Sequence, residues 1–173
     1  MSLLITLMAA GAVALDAALV LCVLALFNRP SRSKMLPMIR RNARLIIFLL
    51  SAASVAGTLW FEFAAGLAPC IFCWWQRIGM YPILFISAIA FVKNTDVSEI
   101  ADYVLAFSIF GAAFALYQHL LQVLPSGALI PCDAAGDCAV RSVFEFGFVT
   151  LPWMSLSVFA TFIFIALVAR KKG

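Results

Sequence analysis

LIIFLLSAASVAGTLWFEFAAGLAPCIFCWWQRIGMYPILFISAIAFV, residues Leu45–Val92, consists of two apolar runs parted by Gly66-Leu67-Ala68-Pro69. Roughly 20 apolar helical residues cross a hydrocarbon core about 30 Å thick, and each run meets that length. Glu62 and Arg77 are the only charged residues in the stretch. An α-helix satisfies its own backbone groups, so two such runs around a short breaker read as a helical hairpin in lipid. The same pattern recurs on both sides, at Leu3–Phe27, Tyr103–Leu124 and Val149–Ala169. Arg29-Pro30-Ser31-Arg32-Ser33-Lys34, Lys93-Asn94-Thr95-Asp96 and Pro125-Ser126-Gly127 close the first, third and fourth spans. The expected fold is an all-α polytopic membrane protein with five spans.

Composition agrees with this. Hydrophobic residues make up 65% of the 173 and charged residues 12%, against about 45–50% and about 25% in soluble domains. With a mean hydropathy of +1.09, the chain lacks the polar residues needed to cover a soluble surface. Disorder, a collagenous fold and a soluble disulfide scaffold are excluded on the same grounds. Residues 1–28 have no basic leader segment and exceed a signal-peptide core, so no cleavable signal is expected.

A net charge of +4 would suit nucleic acid, but the charges are placed as topology determinants and no nucleic-acid partner is expected. Ten of the twelve Lys and Arg lie on one side of the bilayer: Arg29, Arg32, Lys34, Arg40, Arg41, Arg44, Lys93, Arg170, Lys171 and Lys172. Arg77 and Arg141 alone lie on the other. By the positive-inside rule the N-terminus is outside and the C-terminus cytoplasmic. The loops near 66–72 and 125–148 then face out.

Four of the five cysteines fall on that outer side, where disulfides persist. Cys22, within the first span, reads as a small buried hydrophobe. Cys70 and Cys73 form a C-x-x-C at a helix start, and Cys132 and Cys138 a C-x5-C in the longest outer loop. Haem attachment would need His where Trp74 stands. Zinc would need four reduced thiolates in an oxidising space, so no metal site is expected. Two structural disulfides remain an alternative to a redox pair. The redox reading gains from Pro69, from the partial positive charge of a helix N-terminus, and from Arg77 one turn beyond Cys73, all suited to stabilising a thiolate. An exposed loop pair beside a membrane-surface pair has the layout of a thiol–disulfide relay.

A relay needs an electron sink, and the chain has no dinucleotide fingerprint. A quinone dissolved in the bilayer is the two-electron candidate, its head held by polar groups near the outer interface and its tail by apolar walls. His119, the only histidine, and Gln122 lie one turn apart near the outer end of the fourth span, where a proton could be passed. Gln76 is a weaker candidate. Glu62 and Asp16 are costly in lipid and should face the bundle interior, Asp16 against a polar partner. Trp74, Trp75, Tyr81 and Trp153 read as interfacial belt and packing residues.

The run Pro69-Cys70-Ile71-Phe72-Cys73-Trp74-Trp75-Gln76-Arg77-Ile78-Gly79-Met80-Tyr81-Pro82 resembles the disulfide-bond formation protein B (DsbB) family, in its Gram-positive-type branch. Tyr117-Gln118-His119, the paired loop cysteines and Gly147-Phe148-Val149-Thr150-Leu151-Pro152 extend the likeness over about residues 45–170. The resemblance implies a four-helix bundle, residues 41–173, preceded by an extra N-terminal helix and basic loop, residues 1–40. It implies a bacterial cytoplasmic-membrane enzyme that reoxidises an extracytoplasmic thioredoxin-fold thiol oxidase and reduces ubiquinone or menaquinone. By position, Cys132 would be attacked by the partner, Cys138 would pass electrons to Cys70, and Cys73 would face the quinone. Arg77 and His119 match the family's quinone-side residues. Two departures stand out: the extra span, and loop cysteines set close together. A vitamin K epoxide reductase-like quinone reductase, and a non-enzymatic membrane protein stapled by two disulfides, are the other readings.

Overall fold

Every apolar run folds as a helix in the computed structural model, which describes residues 2–124 and 141–170. The helices are α1 (Ser2–Phe27), α2 (Arg29–Phe63), α3 (Ile71–Val92), α4 (Val97–Val123) and α5 (Leu151–Ala169). All five are long and apolar enough to cross a membrane. Helix ends follow local chemistry. Asp96 caps α4, its Oδ1 accepting from the Ser98 N–H at 2.8 Å, and Glu99 in the first turn suits the helix dipole. Thr150 caps α5, its Oγ1 accepting from the Trp153 N–H at 3.3 Å. Cys70 is itself the N-cap of α3.

The main difference from expectation is α2. It starts at Arg29 rather than Leu45 and absorbs most of the basic connection. Hydropathy marks what lies in lipid, whereas Arg, Lys, Met and Leu are good helix formers wherever they lie. Pro30 fits the first turn, where its missing N–H costs nothing. At the α-helical rise α2 is about 52 Å long, well beyond a core of about 30 Å. A division at residues 40 and 41 falls inside this helix.

Helices α2, α3, α4 and α5 pack as a ring in that order, and α1 packs against α5 and α2. The core is built on close approach. A Cβ on Gly79 would stand 3.0 Å from the Phe107 carbonyl oxygen, and one on Gly111 would enter the Phe159 ring. Small residues thus let α3 and α4 touch backbone to backbone, as membrane helices do. Phe159, Phe162, Ile47, Ile83 and Val104 fill the rest. Ser51 and Ser87 meet between α2 and α3 at 3.4 Å. The perimeter is apolar and exposed, as at Leu21, Phe85, Ile109 and Leu167, the surface expected to face lipid. At the end carrying Cys70, the tight turn Phe146-Gly147, both at positive φ, leads into α5.

Candidate functional site

The buried face of α4 fixes what meets the cysteines. Val97, Ala101, Val104, Ser108, Gly111, Ala115, Gln118 and Gln122 recur at alternating steps of four and three along it, the spacing of one helix face. At the thiol end this ridge carries amides instead of small residues, and α3 opposes it with Cys70, Cys73 and Gln76.

The Cys70 and Cys73 sulfurs lie 3.2 Å apart, a thiol–thiol contact one turn along α3. The Gln118 Nε2 donates to Cys70 Sγ at 3.2 Å and lies 3.7 Å from Cys73 Sγ. Its Oε1 accepts from Gln76 Nε2 at 2.7 Å. Both glutamines are buried. The Gln76 donor turns the Gln118 amide so that its N–H faces sulfur, and a carboxamide keeps that hydrogen at any working pH. A donor of this kind offers a hydrogen bond to whichever sulfur carries charge during exchange.

Arg77 is buried on the same helix. Its Nη1 pairs with Glu62 Oε2 at 2.6 Å, its Nη2 donates to the Thr58 carbonyl at 3.3 Å, and its guanidinium lies over the Trp74 ring at 5.1 Å. The cation is thus held by α2 and not left to reach the headgroups. Glu62 faces the bundle, as its cost in lipid requires.

These groups open onto one cavity of about 1010 Å³, lined by Cys70, Cys73, Gln76, Arg77, Gln118 and Gln122 and by mostly apolar residues of α1, α2 and α5, with the hydroxyls of Ser54, Thr58 and Ser155 among them. Of the residues expected from sequence, the cavity therefore gathers Cys70, Cys73, Arg77 and Gln122, with the weaker candidate Gln76. The expectations on Cys132 and Cys138 lie outside the described residues. His119 is buried but does not line the cavity. Its Nδ1 meets Thr150 Oγ1 at 2.9 Å, and its ring packs on Trp153 with centroids 4.9 Å apart. Trp153 in turn donates from Nε1 to Asp16 Oδ2 at 3.0 Å, which supplies the partner Asp16 needed. Trp153 is thus a structural donor, whereas Trp74 and Trp75 are exposed as belt residues. Cys22, expected to be buried, is half-buried and does not line the cavity.

Sequence reasoning assigned Gln118 no role. The signal was present: Gln118 continues the Ala101–Ser108–Gly111–Ala115 ridge, and His119 lies one residue off it.

The chain can be set beside known proteins on this geometry. The model of the family described as Disulfide bond formation protein DsbB matches residues 40–169. Disulfide bond formation protein C of Bacillus subtilis is 33% identical over 135 residues, covering 74% of this chain and 96% of that protein. The probable disulfide formation protein C of Halalkalibacterium halodurans is 35% identical over 134 residues, covering 76% and 96%. The probable disulfide formation protein of Chlamydia caviae is 28% identical over 138 residues, covering 80% and 98%. No solved structure matches. A membrane bundle with a C-x-x-C at a helix start, matched over most of its length, belongs to the DsbB family of oxidoreductases that form disulfide bonds.

Proposed function

We propose that the chain reoxidises an extracytoplasmic thioredoxin-fold thiol oxidase and passes the electrons to a membrane quinone, ubiquinone or menaquinone. The observation that carries this reading is the cavity, which opens on Cys70 and Cys73 and brings Arg77, Gln118 and Gln122 to the same wall. Charged and amide donors at one end and largely apolar walls elsewhere suit a polar head with an apolar tail. The thiol end faces out, with the basic segment of α2 in the cytoplasm, as the distribution of Lys and Arg requires.

In the relay, a partner thiolate attacks the Cys132–Cys138 disulfide. The partner's second thiol closes its own disulfide, and the loop pair takes up two electrons and two protons. Cys138 then attacks Cys70 of an oxidised Cys70–Cys73 pair, and Cys132 resolves the mixed disulfide. Cys73 leaves as a thiolate beside the Gln118 N–H. Arg77 and Gln122 would hold the quinone head, and Glu62 and Thr58 fix the pose of Arg77. His119 packs behind this wall and holds Trp153 and Thr150 in place. A bound quinone supplies the two-electron, two-proton sink against which Cys70 and Cys73 close their disulfide again.

Thiol trapping tests the reading. In membranes stripped of quinone and supplied with reduced partner, Cys70 and Cys73 should accumulate as alkylatable thiols, and added quinone should return them to the disulfide. A pair that stays oxidised in both conditions would be a structural staple.

A further inference from the structure

Helix α1 lies outside the family match, which begins at residue 40, yet it lines the same cavity as the cysteines. Met8, Gly11, Ala14, Leu15 and Ala18 face it, a rise of about 15 Å along the helix and so about half of the hydrocarbon core. Packing holds α1 only lightly, since Ala9 and Ala12 are its only buried residues. What ties it down is polar. Asp16, near the middle of the span, accepts from Trp153 Nε1 at 3.0 Å, and Thr6 Oγ1 reaches Glu145 Oε2 at 3.5 Å. Trp153 sits on α5 between Pro152 and Met154, which line the adjoining wall. The Asp16–Trp153 bond therefore sets the spacing between the α1 and α5 sides of the cavity.

The chemistry of this part of the cavity differs from that beside the cysteines. Between α1 and α2 it offers Gly11, Ala14, Ala53 and Gly57 together with Ser54 and Thr58; the Thr58 hydroxyl is spent on the Val55 carbonyl at 2.8 Å, and no charged or amide side chain lines this part for a polar head. A Cβ on Gly11 would meet nothing within 4 Å, so the wall borders open space there. The volume, about 1010 Å³, is at the top of the usual range of about 300–1,000 Å³ for small-molecule pockets. Room remains beyond the head for an apolar chain.

We propose that α1 is a fifth wall of the acceptor site, latched to α5 by Asp16 and Trp153, and that it selects the acceptor by its isoprenoid tail. The inference rests on the quinone reading above. Without α1, the tail would leave between α2 and α5 into lipid, where one hydrocarbon neighbour is as good as another. With α1 in place the tail must fit a protein channel, and tail length becomes a term in binding.

The test uses the full chain in nanodiscs with reduced thioredoxin-fold partner. The readout is the ratio of kcat/KM for a quinone carrying several isoprene units to kcat/KM for its tailless analogue. Gly11→Phe puts a ring into open space and should lower the ratio about tenfold, the scale of apolar-pocket discrimination. Asp16→Ala should shift it too, and Asp16→Asn, which keeps an acceptor for the indole N–H, should restore it. Leu24→Phe, exposed on the side of α1 turned away from the lining residues, should leave it unchanged. If Asp16→Ala fails to insert, Gly11→Phe decides. Wild-type reduction of both quinones with an unchanged ratio in Gly11→Phe overturns the role of α1 alone. Reduction of neither quinone by the wild type overturns the acceptor reading and the inference with it.

Discussion

Replacing Gln118 by Leu removes an N–H that reaches both sulfurs of the C-x-x-C pair. A hydrogen bond to a charged partner contributes about 1.5–3 kcal/mol. Here one contact is good, at 3.2 Å to Cys70, and the other long, at 3.7 Å to Cys73, so the lower end applies. About 1.4 kcal/mol is tenfold in rate. Gln118→Leu should therefore slow both alkylation of the reduced pair at fixed pH and kcat/KM for partner oxidation about tenfold. The single change also strips Gln76 Nε2 of its acceptor, which lies at 2.7 Å. An unsatisfied buried amide costs about 1–3 kcal/mol of stability. The double variant Gln76→Leu/Gln118→Leu separates the two effects. Replacing both partners by apolar groups should bring Tm back toward wild type, while the tenfold loss of rate remains. A double variant that reacts at the wild-type rate would refute the reasoning and leave the amide pair as packing alone.

Three further outcomes follow from the same geometry and a fourth from the proposed relay. Glu62→Gln should lower Tm, because breaking a buried pair costs about 3–5 kcal/mol, and Glu62 is the partly exposed member of this one. The loss should fall toward the lower end of that range. Arg77→Ala should raise KM for quinone and lower kcat/KM at least about tenfold, read against an insertion control. His119→Phe keeps the ring contact with Trp153 and loses the Thr150 bond. It should lower Tm while leaving the pH profile of quinone reduction unchanged, and an altered profile would return His119 to the proton path. Cys138→Ser should trap Cys132 in a mixed disulfide with the partner, visible on a non-reducing gel. Full partner oxidation with both loop cysteines changed to serine would remove that pair from the relay.

How far the sequence carries the account depends on which force decides each feature. Lipid leaves backbone groups no partner but the helix itself, so the five spans follow from hydropathy. The start of α2 does not, because charge ends a span without ending a helix. Cys70 at a helix start and Arg77 one turn beyond Cys73 follow from local chemistry and helical spacing. Which neighbour on α4 meets the thiols is a matter of phase, and adjacent residues point about 100° apart. The chemistry of histidine points to His119, whereas the close approach of Gly79 to Gly111 seats the ridge that carries Gln118 against α3. The partner of Asp16 was not legible, since Trp153 is 137 residues away and only tertiary packing joins them.

The central claim is that Cys70 and Cys73 hand electrons from a thiol protein to a quinone. The most direct measurement follows quinone absorbance with purified chain in nanodiscs and a limiting amount of reduced thioredoxin-fold oxidase. The account predicts one quinone reduced for each partner disulfide formed, with the signal abolished by Cys70→Ser and by Cys73→Ser. Partner disulfides that accumulate with no change in quinone absorbance, or quinone reduction that persists in either serine variant, would contradict it.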